Sequence, residues 1–380
     1  MKIHIICGLF YPELHPRAFR ATELAKEFVR RGHQVKVSLN KTTDGFGYDE
    51  YIAETGISIE RMGVLHGAKN EGAVVTKIQN RSSLYKGYYA ATEYLMGRST
   101  LIRARKIAKR LHIDDDTDMV IAISTPFICV LGTSYYLRKH NMYSKCVMIA
   151  DSGDPFYYSK QNNLAPWFKI VERSAYKQYD YLTIPVETAI PGYNKLIPEE
   201  KIRIIPQGFN MNNLNLYQGE HKKPVKFAYS GVFYMDIRNP EFLFAYLDKQ
   251  EMDYEFHWYM RYDDPKFTQM LERYPNLKNK THIRVALGRD ELLYELSRMD
   301  FLLNIENTSN SQLPSKLIDY GMTGRPVFSC NKENFSEQKM QDYLNGNYHD
   351  AMEIDIEKYR IENVAQQFLD LYKEKNRDDE

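Results

Sequence analysis

Short apolar runs alternate with stretches of helical periodicity along almost the whole chain, and this restricts it to parallel sheets joined by crossover helices. The first run is Ile3-His4-Ile5-Ile6-Cys7. In the segment 21–31, Leu24, Ala25, Phe28 and Val29 fall on one helical stripe, and Gly32 stops the helix. The following segment, 34–39, alternates as a strand and completes a βαβ unit. Further strands are expected at 119–124, 146–150, 181–185 and 202–205. From 211 to 224 the chain turns polar and Asn-rich, which reads as a linker. A second series opens at 225–230 and continues at 254–259, 282–285, 301–305 and 326–329, with helices such as 290–298 between. The fold class is therefore α/β, with two Rossmann-like domains in tandem. The last helix, 361–373, carries no signal that fixes its docking face; packing back on the amino-terminal domain is one expectation.

In open α/β sheets ligands lie beyond the carboxyl ends of the strands, so residues at those ends are the candidates for function. The richest is Leu313-Pro314-Ser315-Lys316-Leu317-Ile318-Asp319-Tyr320. Pro314 suits a first helical position, and the amides of Ser315, Lys316 and Leu317 would then lack intrahelical acceptors and offer a seat for phosphate oxygens. Lys316 adds a full positive charge. Asp319 follows about one turn later, within reach of a sugar hydroxyl attached to that phosphate. Gly324 ends the helix and Pro326-Val327-Phe328 starts a buried strand. The unit reads as a nucleoside diphosphate pocket.

Two loops of the first series stand at strand ends as well. Tyr11-Pro12-Glu13-Leu14-His15-Pro16-Arg17 follows the first strand, and Asp151-Ser152-Gly153-Asp154-Pro155 follows the strand at 146–150. Tyr11, His15, Arg17, Asp151 and Asp154 are candidate ligand contacts at these ends. The plainer alternative is that the first loop only starts a helix, that Asp151 caps a turn and that Asp154-Pro155 breaks it. Arg20 reads as a surface charge of the helix.

Composition removes several function classes. There are 51 Lys and Arg against 50 Asp and Glu, a formal charge of +1, which argues against bulk nucleic-acid binding. No apolar run approaches the about 18 residues of a membrane span, and the apolar start is strand-length, so neither a leader nor a span is expected and the cytoplasm is the expected compartment. Cys7, Cys129, Cys146 and Cys330 lie far apart and are expected as reduced, buried thiols. No metal-ligand cluster is visible. The turn Cys7-Gly8-Leu9-Phe10-Tyr11-Pro12 lacks the Gly-x-Gly-x-x-Gly pattern of dinucleotide dehydrogenases.

Taken in order, Tyr11-Pro12-Glu13, Arg31-Gly32-His33-Gln34-Val35, Ile205-Pro206-Gln207-Gly208-Phe209-Asn210, Tyr229-Ser230-Gly231 with Arg238-Asn239-Pro240, Val285-Ala286-Leu287-Gly288 and the Pro-Ser-Lys segment form a specific set. The set resembles the retaining GT-B glycosyltransferases of family 4 that build bacterial surface polysaccharides. The resemblance implies two domains facing across a central cleft: an acceptor domain at 1–210, a linker at 211–224 and a nucleotide-sugar domain at 225–380. It implies transfer of a sugar from a nucleoside diphosphate sugar to a saccharide, expected to be lipid-linked, with retention, without cofactor and without metal. Carried over residue by residue, Arg238, Lys316 and Asp151 take catalytic roles. Gly231, Arg238, Ala286, Ser311, Ser315, Lys316, Leu317 and Asp319 bind the nucleotide sugar, and family position implies that Tyr11, His15, Arg17, Asp151 and Asp154 contact the acceptor or donor sugar. The main chemical task is to stabilise charge growing on the departing diphosphate, which cations and helix amides can do.

Three departures from the pattern bear on donor choice and activity. Ser311 stands eight residues before Asp319, where relatives commonly place a second acid; Val232 stands where many place an Arg; and Ser124-Thr125-Pro126 replaces a common His. A nucleotide-sugar epimerase of the same form and a catalytically silent nucleotide-sugar-binding scaffold are the alternative readings.

Between residues 77 and 110 lie nine Lys or Arg and one Glu, interleaved with Tyr85, Tyr88, Tyr89, Tyr94, Leu95 and Met96. This segment suits an anionic membrane surface, at about 1 kcal/mol per well-placed cation. It equally suits a solvated basic helix neutralised by Asp114-Asp115-Asp116-Thr117-Asp118.

Overall fold

The computed structural model describes residues 1–380 apart from 14, 42–46, 66–82, 98–99, 142–145, 159–163, 213, 221, 232–238, 261–263, 286, 307–315 and 379–380. The chain divides into two compact units, Met1–Asn210 with Lys358–Glu380, and Met211–Glu357. The polar segment 211–224 belongs to the second unit, and the last helix belongs to the first.

The first unit is built on β1 (Lys2–Cys7), β2 (Gln34–Lys41), β3 (Ser58–Leu65), β4 (Met119–Ile123), β5 (Val147–Asp151), β6 (Tyr181–Ile184) and β7 (Ile202–Ile204). They pair in parallel in the order β3-β2-β1-β4-β5-β6-β7. Helices cover both faces, so β4, β5 and β6 are buried at every position, which is why they read as uninterrupted apolar runs. The edge strand β3 carries Glu60, Arg61 and Gly63 and gave no such signal.

The helix Pro16–Arg30 begins five residues earlier than the apolar stripe suggests, because His15 caps it: His15 Nδ1 accepts from the Arg17 amide at 3.1 Å. Its buried side, Ala21, Leu24, Ala25 and Phe28, meets Val364, Ala365 and Phe368 of the last helix, Ile361–Asp378, in one core. The Arg31 guanidinium fastens the pair, donating to Gln366 Oε1 at 2.7 Å and to the Glu362 carbonyl at 2.6 Å. The Phe209 amide donates to the Tyr359 carbonyl at 2.8 Å and the Ile361 amide to the Phe209 carbonyl at 2.9 Å, so the Pro-Gln-Gly-Phe motif holds the returning chain.

The second unit contains β8 (Val225–Ser230), β9 (Tyr254–Met260), β10 (Thr281–Val285), β11 (Phe301–Ile305) and β12 (Val327–Cys330), all parallel in the order β10-β9-β8-β11-β12. One face is an aromatic core of Phe227, Tyr229, Phe256, Trp258 and Phe301 with helix residues Phe244 and Phe267. The opposite face packs Ala228, Tyr259 and Leu302 against Leu296, Leu317 and Tyr320.

All four cysteines are buried and unbridged. Burial pushes the Cys129 and Cys330 thiols up to about 12, which keeps them protonated and inert. Among the described residues no helix is long and apolar enough to cross a membrane.

Candidate functional site

Strand order reverses between β8 and β11 in the second sheet, and the carboxyl ends on either side of that point are where a parallel sheet opens to a ligand. β8 ends there at Ser230, and Gly231 follows it. Gly231 has φ +145, a conformation that L side chains rarely adopt, and its amide donates to the Tyr259 carbonyl at 3.0 Å. The turn is further fixed by Tyr320, whose hydroxyl accepts from the Ser230 amide at 2.7 Å. Tyr320 belongs to the helix Lys316–Thr323, which Gly324 ends at φ +67.

One turn before Tyr320 on that helix, Lys316 Nζ lies 4.0 Å from the Tyr229 ring centroid and 5.9 Å from that of Tyr320. The two ring faces attract the ammonium and hold its long stem in one place. A cation is thus fixed beside the Gly231 turn, where it can meet an oxyanion. Leu317 points into the core at 1% exposure, so only its backbone is available to a ligand.

Asp319 is held by a residue that the sequence reading passed over. Arg289, the first residue of the helix Arg289–Ser297, donates to Asp319 Oδ1 from Nε at 3.1 Å and from Nη2 at 2.9 Å. Burial pushes the Asp319 carboxyl up and Arg289 pulls it back. Both bonds fall on Oδ1, which orients Oδ2 for a second partner. The signal was present: Arg289 directly follows the Val285-Ala286-Leu287-Gly288 motif. Arg238, Ala286, Ser311 and Ser315 lie outside the described residues.

In the first unit the structure brings Arg17 and Asp151 together and corrects the reading of Arg20. Arg20 is 1% exposed. Its Nε donates to Asp151 Oδ2 at 2.7 Å, Nη2 to Oδ1 at 2.6 Å, and its Nη1 and Nη2 to the carbonyls of Pro206 and Ile205 at 2.6 and 3.0 Å. Arg17 Nη1 reaches Asp151 Oδ2 at 2.9 Å, and Thr183 Oγ1 donates to Oδ1 at 2.7 Å. Helical spacing could have found this, since Arg20 shares its stripe with Leu24 and Phe28, and a buried guanidinium calls for a carboxylate.

Asp151 is therefore corrected too: fully buried, with both oxygens taken, it positions two arginines and has no face for a sugar. Burial alone would raise its carboxyl, but Arg20 and Arg17, with the bonds from Arg20 and Thr183, hold it below the ordinary range. Arg17 rests on Gly153, where a Cβ would stand 2.3 Å from Nη2, so a side chain there would displace the guanidinium. Tyr11 is 40% exposed and stacks on Tyr51 at 4.5 Å; Asp154 is exposed.

The loop after Asp151 hangs on a carboxylate absent from the sequence reading. Glu172, fully buried, accepts from the amides of Phe156 at 2.7 Å and Tyr157 at 2.8 Å. Burial pushes its carboxyl up to about 7 against these bonds and one from Tyr176. The folded state thus favours the protonated acid: its stabilisation is whole below about pH 4.5 and is lost as pH rises through about 7. Glu172→Gln cannot ionise and is expected to remove this loss, up to about 3 kcal/mol between pH 4.5 and 8. Urea unfolding of both proteins at pH 5 and pH 8 checks it; equal pH dependence would clear Glu172 as the source.

No protein-family model matches the chain, and no curated protein is significantly similar to it in sequence. Solved structures do match. The lipopolysaccharide outer core galactosyltransferase WaaB is 12% identical with a TM-score of 0.57, the alignment covering 99% of this chain and 100% of that one. The fold is GT-B. Anabaena HepE, solved with UDP, is 11% identical over 99% of both chains with a TM-score of 0.54. TarM of S. aureus, solved with fondaparinux, alpha-GlcNAc-glycerol and UDP, is 13% identical over 98% of this chain and 99% of that one, also at 0.54.

Proposed function

We propose that the chain is a retaining glycosyltransferase of family 4 type that moves a sugar from a nucleoside diphosphate sugar to a saccharide acceptor carried on a lipid. One observation carries the reading: Lys316 Nζ sits over Tyr229 beside the Gly231 turn, at the switch point of the second sheet. The whole-length likeness to WaaB, HepE and TarM supports it. In this reading Lys316 and Arg238 oppose the charge of the departing diphosphate, while the Ser315 and Leu317 amides and the Gly231 backbone seat its oxygens. Asp319, oriented by Arg289, takes a ribose hydroxyl. Ala286 adjoins the nucleotide and Ser311 offers a hydroxyl to the donor sugar. Tyr11, His15 and Asp154 face the acceptor.

The acceptor hydroxyl attacks the anomeric carbon on the face from which the diphosphate leaves. As the carbon–phosphate-oxygen bond breaks, the leaving phosphate takes the hydroxyl proton, and no protein base is needed. A retaining glycosidase, in contrast, needs two carboxylates about 5 Å apart. The test is acceptor-dependent release of nucleoside diphosphate without added metal, with the new linkage read by NMR. Retention of the donor's anomeric configuration is expected. Inversion would sink the retaining assignment, acceptor-free interconversion of nucleotide sugars would mean an epimerase, and tight binding without turnover a scaffold.

A lipid-borne acceptor asks for a membrane surface, and the basic segment 77–110 supplies one. Its helices Ser83–Met96 and Thr100–Arg110 expose Tyr88 at 70%, Leu95 at 51% and Ile102 at 43%, together with Arg105, Lys106 and Lys109. Reversing those three charges to Glu is expected to weaken binding to anionic vesicles by at least about tenfold, given about 1 kcal/mol per cation. Co-sedimentation with anionic and neutral vesicles checks this; an unchanged preference would leave the segment a solvated face.

A further inference from the structure

At the other end of the second sheet, register gathers a set of nitrogen and oxygen ligands. His257 on β9 pairs with His282 on β10, and Glu255, two residues earlier on β9, pairs with Lys226 on β8. Alternation along the strands puts these four side chains on one face. They lie toward the strand starts, whereas Ser230 and the Gly231 turn lie at the strand ends.

His257 Nε2 is 3.2 Å from Glu255 Oε2, and the rings of His257 and His282 stack with centroids 4.9 Å apart. One ligand atom from each of the three residues lies within 4.8 Å of the others. Ligands of a four-coordinate zinc at ~2.0–2.2 Å stand roughly 3.3 Å apart, close to the 3.2 Å between His257 Nε2 and Glu255 Oε2. His257 Nδ1 is buried with no hydrogen-bond partner among the described residues. A cavity of about 440 Å³, lined in part by Glu255, His257 and Tyr217, gives access, and His282 is exposed.

We propose that Glu255, His257 and His282 bind one zinc-type divalent cation, which clamps the edge strand β10 to β9. Two imidazoles and one carboxylate suit zinc and its neighbours, whereas magnesium and calcium need more oxygen ligands. The facing charges decide the strength. Lys226 Nζ, 3.1 Å from Glu255 Oε2, must give way to the cation, and Arg284, Lys222 and Lys223 share the cavity. Affinity is therefore expected in the micromolar range. The clamp is structural and takes no part in transfer.

The test is calorimetric titration of the metal-stripped full chain with zinc, and separately with cobalt(II), whose visible bands report imidazole and carboxylate ligation. One saturable site, a raised thermal midpoint and tetrahedral cobalt bands are expected. His282→Ala, at an exposed position that should leave folding intact, is expected to weaken zinc binding at least tenfold, and Glu255→Gln likewise. No saturable binding below 100 μM would overturn the proposal, as would His282→Ala binding zinc like the parent, which would put the ion on another histidine.

Discussion

Lys316→Ala is expected to slow transfer by about 10²–10³-fold, the size of effect seen when one preorganised donor to a transition-state anion is removed. The ammonium held over Tyr229 meets a charge that grows only as the diphosphate departs. Its loss should therefore fall more heavily on turnover than on donor binding. Stability should change little, because the side chain is only half-buried at a helix start and its neighbours Tyr229 and Tyr320 stay anchored. Lys316→Arg tests placement: its planar group sits differently on the rings and is expected to restore binding without restoring full rate. The measurements are kcat with a competent donor and acceptor, and the Kd of the nucleoside diphosphate. A Lys316→Ala enzyme with parental values in both would remove Lys316 from the site.

The second large effect is structural. Asp151→Ala is expected to cost the first unit about 3–5 kcal/mol, because it leaves two buried guanidinium groups uncompensated. Arg17 and Arg20 are 9% and 1% exposed, so neither can turn to solvent without opening the helix Pro16–Arg30. Asp151→Asn keeps the shape and still loses the charge, so it should fall close to the alanine variant. The depressed Asp151 carboxyl also sets a sign in pH: its stabilisation is present above the ordinary carboxyl range and is lost as pH falls through its lowered value. Urea unfolding followed by tyrosine fluorescence gives the measurement. A loss under about 1 kcal/mol would mean that the arginines find other partners.

Where a strand is buried on both faces, the sequence alone located it. β8 and β11 fall at 225–230 and 301–305, as their apolar runs indicate. The edge strands β7 and β10 were located as well, at 202–205 and 282–285, and the signal fails where charges interrupt the alternation or contacts are remote. β3, at an edge, mixes Glu60 and Arg61 with Ile59 and Met62, so no period stands out. Arg20 looked solvated because its partner lies 131 residues away. The pairing of Arg289 with Asp319 and of His257 with His282 depends on how helices and strands lie side by side, which local composition does not encode. Lys316 and the Gly231 turn were legible because an unusual backbone and a helix start each leave a local mark.

The return of residues 358–380 to the first unit bears on how the protein is made. A domain that ends where its sheet ends can fold as soon as it leaves the ribosome. Here the core around Leu24 and Phe28 lacks Val364 and Phe368 until the entire second unit has been synthesised, roughly 10–30 s later at about 5–20 residues per second. The amino-terminal domain, first to emerge, is therefore the last to be finished, and through that interval its apolar flank is a natural client for a chaperone.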